Sequence, residues 1–503
     1  MLLAELIEKC GLKLLQGSLQ QEIGSLVYDS RKTGPGALFV CIVGARSDGH
    51  SYLKQAAEAG TAAVVVEKAP EQLPEEVREA LTQYSVTVLQ AQDTRLALAL
   101  LSAAWFGHPM EKMITVGVTG TKGKTTSTHM MVSVLQAAGH KVGLIGTNGV
   151  FYGDVYQPTR NTTPESYEIQ EYAAQMLAAG CDVLVMEVSS QGLKLHRVGG
   201  ILYDYGVFTN LSQDHIGEFE HPDFEDYLRS KAMLFRSCRT GIFNRDDPHF
   251  EAVSAGCTCR RVTFGKEGAD YGLQSVDYIQ EGGFLGTHAE IAGKASFGFS
   301  VAIPGYFNVY NALSAAALAA EMGISAQAID AGLRSVRVNG RMESVYSGEK
   351  FSILVDYAHN GIATELLLDT LRAYGPKRLV VVFGCGGNRS KDRRYEMGEA
   401  CGKKADLCIV TADNSRYEKV EDIIRDIHTT LDKTGGRSVD VPDRREAIRY
   451  AVEHACSGDM IAVIGKGHED YQEVNGVRTH FLDREEIIKA LREFGYLAED
   501  ERK

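Results

Sequence analysis

The stretch Ile114-Thr-Val-Gly-Val-Thr-Gly-Thr-Lys-Gly-Lys-Thr-Thr126 constrains the fold of this chain more than any other. Its β-branched start, Ile114 to Val118, reads as a buried strand, and Gly120-Thr-Lys-Gly123 reads as a turn. From Thr125 the apolar residues Met130, Met131, Val134, Leu135 and Ala138 recur at helical spacing. Strand, glycine turn and helix start in that order make a cradle for phosphate. Gly120 and Gly123 let backbone N–H groups close on anionic oxygens, and the helix dipole adds to the attraction. Lys124 is expected to reach the outer phosphates, and the Thr125 hydroxyl to ligate Mg²⁺. The strict phosphate-loop pattern wants a glycine where Val118 stands, so this is a variant loop.

At 503 residues the chain is too long for one core. With 44% apolar and 24% charged residues the composition is that of an ordinary globular protein, and a net charge of −13 argues against nucleic acid as the main partner. No apolar run approaches the roughly 20 residues that span a bilayer, so no membrane insertion is expected. Leu2, Leu3, Leu6, Ile7 and Cys10 fall on one face of a short amphipathic helix instead of forming a basic leader. Of ten scattered cysteines only Cys257 and Cys259 are close, and nothing nearby completes a zinc set. Reduced thiols and a cytoplasmic location are expected.

Residues 1–108 read as a small α/β unit with strands near 25–28, 38–43, 62–66 and 86–89 and helices over 50–59 and 94–106. Ser30 and the loop Gly44-Ala-Arg-Ser-Asp-Gly-His50 follow strands, where α/β folds place ligands. Pro109 marks a boundary, and up to about residue 338 strands alternate with helices, which predicts a mostly parallel sheet. The buried strand 182–187 ends in Glu187, and the strand 205–211 runs out towards His215. With Thr125 they stand at exits of strands expected to be neighbours, a candidate metal site. Asn161-Thr-Thr-Pro164 precedes a helix, residues 221–235 read as a helix carrying Lys231, and Asn308 lies where a helix opens, able to bind a base or to cap. After residue 338 come strands 351–355, 379–383, 407–411 and 460–464, each ending in a polar loop. Arg389 and Arg416 could clamp carboxylates and Glu469 an ammonium, a combination that suits an amino acid.

Together these motifs resemble the Mur ligase family: Thr119-Gly-Thr-Lys-Gly-Lys-Thr-Thr126, Asn161-Thr-Thr-Pro164, Glu187-Val-Ser-Ser-Gln-Gly-Leu193 with His196-Arg197, Thr209-Asn-Leu-Ser-Gln-Asp-His215, Asp356-Tyr-Ala-His359, Gly384-Cys-Gly-Gly387 and Gly465-Lys-Gly-His-Glu-Asp-Tyr471. The resemblance implies three α/β domains: a small UDP-binding domain (1–108), a central ATPase-like parallel-sheet domain (109–338) and a Rossmann-like C-terminal domain (339–503). It implies ATP-dependent amide synthesis with Mg²⁺ on UDP-MurNAc-L-Ala-D-Glu, through an acyl phosphate, in peptidoglycan precursor synthesis. Carried over to this chain, the catalytic residues are Lys124, Glu187, His215 and a carbamylated Lys231, and the metal ligands Thr125, Glu187, His215 and Lys231. ATP would meet Gly120, Thr121, Lys122, Gly123, Lys124, Thr125, Thr126, Asn308, Arg341 and Asp356. The nucleotide-sugar peptide would meet Ser30, Ala45, Arg46, Ser47, Asn161, Thr162, Thr163, Ser189 and Arg197. The amino acid would meet Arg389, Asp413, Asn414, Ser415, Arg416, Gly465 and Glu469.

Three departures from the family pattern stand out. Ser415 replaces a proline in the pocket motif, the segment after His215 is longer, and Leu195 stands where a glutamine would contact the sugar-peptide. Arg416 is kept, and a buried guanidinium without a carboxylate partner is costly, so diaminopimelate is expected over lysine. A relative adding another amino acid, a folylpolyglutamate-synthetase-like ligase and a regulatory ATPase are the competing readings. A monomer is expected.

Overall fold

The computed structural model describes residues 1–44, 47–217, 220–281 and 284–498. It divides into two compact units, Met1–Asp270 with Ser314–Gly323, and Tyr271–Leu313 with Ile324–Lys503.

The first unit holds two sheets. The smaller runs Lys13–Gln16, Thr87–Gln90, Ala63–Val66, Ala37–Val40, Ser25–Val27, parallel except for the first strand. Successive side chains of a strand face opposite ways, so its short apolar runs feed two cores. Leu38, Val40 and Val65 pack with Leu98 and Leu101 of the helix Thr94–Trp105. Phe39, Val64 and Val66 pack with Leu53 and Leu81 of the helices Leu53–Glu58 and Glu75–Gln83.

In the larger sheet the strands of this unit run Arg260–Gly265, Cys238–Asn244, Tyr203–Phe208, Ile114–Thr119, Val183–Glu187, Val142–Gly146, Gly149–Tyr152, Val155–Gln157. They are parallel as far as Val142–Gly146 and antiparallel beyond it. Ile114–Thr119 lies between Val183–Glu187 and Tyr203–Phe208, so the glycine turn, Glu187 and Thr209 share one sheet edge.

The second unit carries the sheet Glu343–Ser347, Phe351–Asp356, Asp459–Ile464, Arg378–Phe383, Leu407–Val410, Ser438–Asp440, parallel except for its first strand. Arg444 and Asp483 form a fully buried ion pair at 2.7 Å. The same guanidinium donates to Ala412 O (3.2 Å) and Ile464 O (3.0 Å), binding two strand exits together.

Several expectations change. The strands Tyr271–Glu281, Phe284–Gly293 and Phe297–Val301 pair antiparallel in sequence order, where the expectation is of strands alternating with helices. The sheets are therefore mixed. The N-terminal helix is only Leu3–Leu6, too short to span the apolar pattern that reaches Cys10. The helix expected from residue 221 begins at Phe224, where Asp223 caps it by accepting from Asp226 N at 2.7 Å, and it tightens into a 3₁₀ turn at Met233–Arg236. Among the described residues no helix is long and apolar enough to cross a membrane. All ten cysteines are free.

Candidate functional site

The glycine turn is fixed by its neighbours. Gly120 has φ 155°, and a Cβ there would lie 2.0 Å from Thr209 Oγ1. Gly123 at φ 84° occupies the N-cap of the helix Lys124–Ala137. Asn210 braces the turn from the next strand exit: its carbonyl accepts from Thr121 N (2.9 Å) and its Oδ1 from Lys122 N (2.9 Å). Thr126 is buried below the turn. Lys124 Nζ donates to Gly120 O (2.8 Å) and Thr121 O (3.2 Å).

Lys231 is 1% exposed; its Nζ donates to Gly120 O at 2.9 Å and lies 4.5 Å from the centre of the Tyr227 ring. Burial, reinforced by Lys124, holds this amine far below the ordinary lysine value. A neutral, nucleophilic amine is the form able to take up CO₂ as a carbamate. Lys124 is lowered in the same direction, chiefly by burial.

Glu187, 1% exposed, sits at the centre of a hydroxyl network. Its Oε2 accepts from Thr125 Oγ1 (3.1 Å) and Thr147 Oγ1 (3.1 Å), and its Oε1 from Thr147 N (2.9 Å). Thr147 in turn meets the Thr162 hydroxyl at 2.9 Å. Hard oxygen donors around one buried carboxylate fit a cation such as Mg²⁺. The other expected ligands are placed differently. His215, at φ 55° and with its side chain half exposed, has Nδ1 3.0 Å from the Glu220 carboxylate, and Lys231 meets the loop at Gly120. Among the described residues no three His, Cys, Asp or Glu side chains stand ready to share a metal.

The loop after Thr162 is tied to the same strand end. Thr163 Oγ1 donates to Glu187 O (2.9 Å) and accepts from Ser189 N (2.9 Å). Ser189 Oγ accepts from Gly192 N at 3.0 Å, capping Ser190–Lys194. Arg197 donates to Thr163 O (3.1 Å) and to Glu165 (3.0 Å). Asn161 is exposed beside them. In the smaller sheet, Ser30 opens the turn Ser30–Lys32 and Ser47 O accepts from Gly44 N at 2.8 Å. Ala45 and Arg46 lie outside the described residues.

In the second unit a cavity of about 270 Å³ is lined by Tyr357, His359, Gly384, Arg389, Asp413, Asn414, Arg416, Gly465 and Glu469. Asn414 Nδ2 donates to Glu469 at 2.8 Å, and Arg416, at φ 50°, donates to Gly387 O at 2.8 Å. Ser415 is 2% exposed, and its carbonyl oxygen would lie 1.9 Å from a Cβ on Gly387. Lys466, fully buried, approaches Glu469 (3.6 Å) and Asp413 (3.9 Å), and burial lowers its pKa. His359 Nδ1 is 2.8 Å from Tyr357 O. Arg341 lies 5.0 Å from the Tyr357 ring. Asp356, pushed up by burial, accepts from Met342 N and Ala358 N, both at 2.8 Å. Asn308, 2% exposed, spends its amide on Pro304 O (2.7 Å) and accepts from Asn311 (3.0 Å), so its hydrogen bonds serve the helix start.

Thr147, Asn210, Tyr227 and Lys466 were not among the candidates read from the sequence. Asn210 and Lys466 lay inside the motifs quoted above without a role of their own, and Thr147 and Tyr227 lay in no motif.

A strand, glycine turn and helix start at a parallel sheet edge, beside a buried carboxylate, form an arrangement able to hold phosphate groups, and the second unit carries a separate charged pocket. Residues 22–106, 118–319 and 340–467 match, in turn, the Mur ligase family catalytic domain, the Mur ligase middle domain and the Mur ligase glutamate ligase domain. The UDP-N-acetylmuramoyl-L-alanyl-D-glutamate–2,6-diaminopimelate ligase of Syntrophomonas wolfei is 39% identical over 98% of this chain and 99% of its own length. A Clostridium acetobutylicum ligase of the same name is 38% identical over 98% and 100%. A solved structure of a ligase with this name superposes with a TM-score of 0.76 at 27% identity, covering 99% of this chain and all of that one (100%). The chain belongs to the Mur ligase family, whose members are ATP-dependent ligases.

Proposed function

We propose that this protein joins a diamino acid, meso-2,6-diaminopimelate in preference to L-lysine, to the D-glutamate γ-carboxylate of UDP-MurNAc-L-Ala-D-Glu. The reaction consumes ATP and passes through an acyl phosphate. The observation that carries this reading is the chain of contacts Thr162–Thr147–Glu187–Thr125. It links the loop assigned to the sugar-peptide with the mouth of the phosphate cradle. The names of the relatives and the retained Arg416 support the choice of amino acid. We take the reaction to be cytoplasmic, with the chain acting as a monomer and with modules at 1–108, 109–338 and 339–503.

A carboxylate is a poor acylating agent because its leaving group would be oxide. Transfer of the γ-phosphoryl group to the D-glutamate carboxylate removes that obstacle. The N–H groups of the Gly120–Thr126 loop and the Lys124 ammonium hold the phosphates and stabilise charge spread over the transferring group. Mg²⁺, where bound, supplies further charge neutralisation; Thr125 and Glu187 offer it oxygen ligands, with His215 and a carbamylated Lys231 as the remaining proposed ligands. Thr162, Thr163, Ser189 and Arg197 orient the acceptor carboxylate, with Asn161 beside them, and Ser30, Ala45, Arg46 and Ser47 hold the nucleotide end. Arg341, Asp356 and Asn308 are proposed ATP contacts of the second unit. The incoming amine, held by Arg389, Asp413, Asn414, Ser415, Arg416, Gly465 and Glu469, attacks the acyl phosphate unprotonated, and phosphate leaves.

The test is an amino-acid screen with UDP-MurNAc-L-Ala-D-Glu and ATP, read by product mass and phosphate release. A product heavier by one diaminopimelate residue is expected. Phosphate release independent of acceptor and amine would instead make the chain a regulatory ATPase.

A further inference from the structure

Arg95 has no assigned role, yet it joins two separate segments, the chain at Val43 and the start of the helix Ser166–Ala178. It is the second residue of the helix Thr94–Trp105 in the small-sheet part of the first unit. Its Nε donates to Val43 O at 3.2 Å, at the base of the loop that runs to Asp48 and closes there through a Val43–Asp48 bridge. Its Nη1 donates to Glu165 Oε2 at 3.3 Å. Glu165 occupies the N-cap of the helix Ser166–Ala178 but makes no side-chain cap bond, although carboxylates at that position ordinarily accept from the first-turn N–H groups. Its carboxylate turns instead to two guanidiniums, taking Arg95 on one oxygen and Arg197 Nε on the other at 3.0 Å. Arg197 also holds Thr163 O. The side chains of Arg95, Glu165 and Arg197 are 16%, 21% and 14% exposed, which shields the contacts from bulk screening.

Two further contacts run alongside. His196 Nε2 lies 3.6 Å from Asp93, the cap of the Arg95 helix, and the Tyr28 hydroxyl donates to Glu168 one turn along from Glu165. Two guanidiniums thus share the single carboxylate of Glu165. Among the described residues the Nη2 group of each arginine takes no protein acceptor. Since an arginine has five donors in a fixed fork, both retain capacity for an anionic ligand.

We propose that Arg95 is a positioning residue of the acceptor site. Bonded to both Val43 O and Glu165, it ties the chain at Val43 to the 161–165 loop, so that the two described segments offer one prearranged surface to an anionic nucleotide-sugar peptide. The ligand class rests on the function proposed above; the lock itself does not.

The experiment compares wild type with Arg95→Met, Arg95→Lys and Glu165→Gln. Amide hydrogen exchange without ligand should rise about tenfold at Val43, Gly44 and Asp48 and in the 161–165 loop in Arg95→Met. In turnover, its KM for the nucleotide-sugar peptide should rise about tenfold, with the KM values for ATP and the diamino acid within about twofold of wild type. Arg95→Lys, which keeps the charge but cannot reach both partners in a fork, should recover only part of the loss. Glu165→Gln should raise the acceptor KM in wild type and by a smaller factor in the Arg95→Met background, where only its contact with Arg197 is left to lose. Unchanged exchange in the 161–165 loop, additive effects of the two substitutions, or equal rises in all three KM values would each overturn the proposal. Should wild type itself show no acceptor-dependent turnover, the functional reading fails and the exchange result alone decides the lock.

Discussion

In the proposed phosphate cradle of the first unit the groups offered to a ligand are backbone N–H groups; in the charged pocket of the second they are side chains. The cradle is made of N–H groups on a turn whose path is forced by contact: Gly120 lies against Thr209, and Asn210 pins Thr121 and Lys122. Its polar groups answer to any chain of phosphates. The second unit has its own forced contact, Gly387 against the Ser415 carbonyl, but neither residue lines the cavity. The choice of amino acid proposed above rests on Arg389, Asn414, Arg416 and Glu469 in its lining. The difference implies that the cradle tolerates almost no substitution and fixes the kind of reaction, whereas the pocket can be retuned to another amine without disturbing it.

The largest effect expected is therefore at Gly120. A methyl group there meets Thr209 Oγ1 at 2.0 Å on backbone at φ 155°, so the turn must move off the position its N–H groups need. Gly120→Ala should lower kcat by about 10³-fold or more, in line with losing transition-state hydrogen-bond donors. Phosphate-release assays with all three substrates would measure it, and near-normal turnover would remove the distinction between the two regions. Lys124→Ala and Glu187→Ala should fall in the same class while circular dichroism remains that of the wild type.

Next comes the pocket rim. Arg416→Ala should raise the KM for diaminopimelate about 100-fold, the loss of a charge-assisted pair, and leave the KM for ATP within about twofold. Gain of L-lysine use by the variant would sharpen the comparison, since it would show the pocket retuned with the cradle untouched. Equal shifts in both KM values would break it.

The two regions also differed in how legible they were. The cradle could be read directly because two glycines, two lysines and three threonines fill seven consecutive positions (120–126), although Thr209 and Asn210, which pin the turn, lie far along the chain. The pocket was legible only as four polar strand exits, because the residues that set its shape come from distant segments. Lys466 lies over the Tyr471 ring, and Arg444 reaches Ala412 and Ile464 from a helix start. The network at Glu187 was half legible. Thr125 was expected there, but Thr147 arrives from a strand whose exit carries no motif, and His215 turns to Glu220 across the lengthened segment that follows it. The antiparallel pairing of Tyr271–Glu281, Phe284–Gly293 and Phe297–Val301 was misread because alternation of apolar and polar residues marks a strand without telling whether a helix or a turn connects it to the next.

The smallest effect, and the one that tests the comparison through pH, concerns Glu418. Its Oε1 accepts from Arg394 Nη2 at 2.8 Å and from Asn388 N, so it ties the helix Asp392–Lys404 to the turn that carries Arg389. The Arg394 guanidinium, then the Asn388 N–H, hold its carboxyl below the ordinary glutamate value. Asp426, on the same guanidinium at 2.8 Å, is also lowered: burial pushes it up, but Lys391 and Arg394 outweigh that. A carboxylate held low in the folded state contributes stability at pH values above its unfolded pKa, about 4.3 for glutamate, and loses it as pH falls through the lower folded value. Glu418→Gln should therefore destabilise the protein by about 1 kcal/mol near pH 7, a modest figure because the pair is partly exposed. The gap to wild type should close as pH is lowered from about 5 to 3. The KM for the diamino acid should rise about threefold at pH 7 while that for ATP stays put, because nothing in the cradle leans on a titrating carboxylate at that rim. A stability gap that persists at pH 3, or a matching rise in the KM for ATP, would show that the carboxylate props the whole unit instead of the amino-acid pocket.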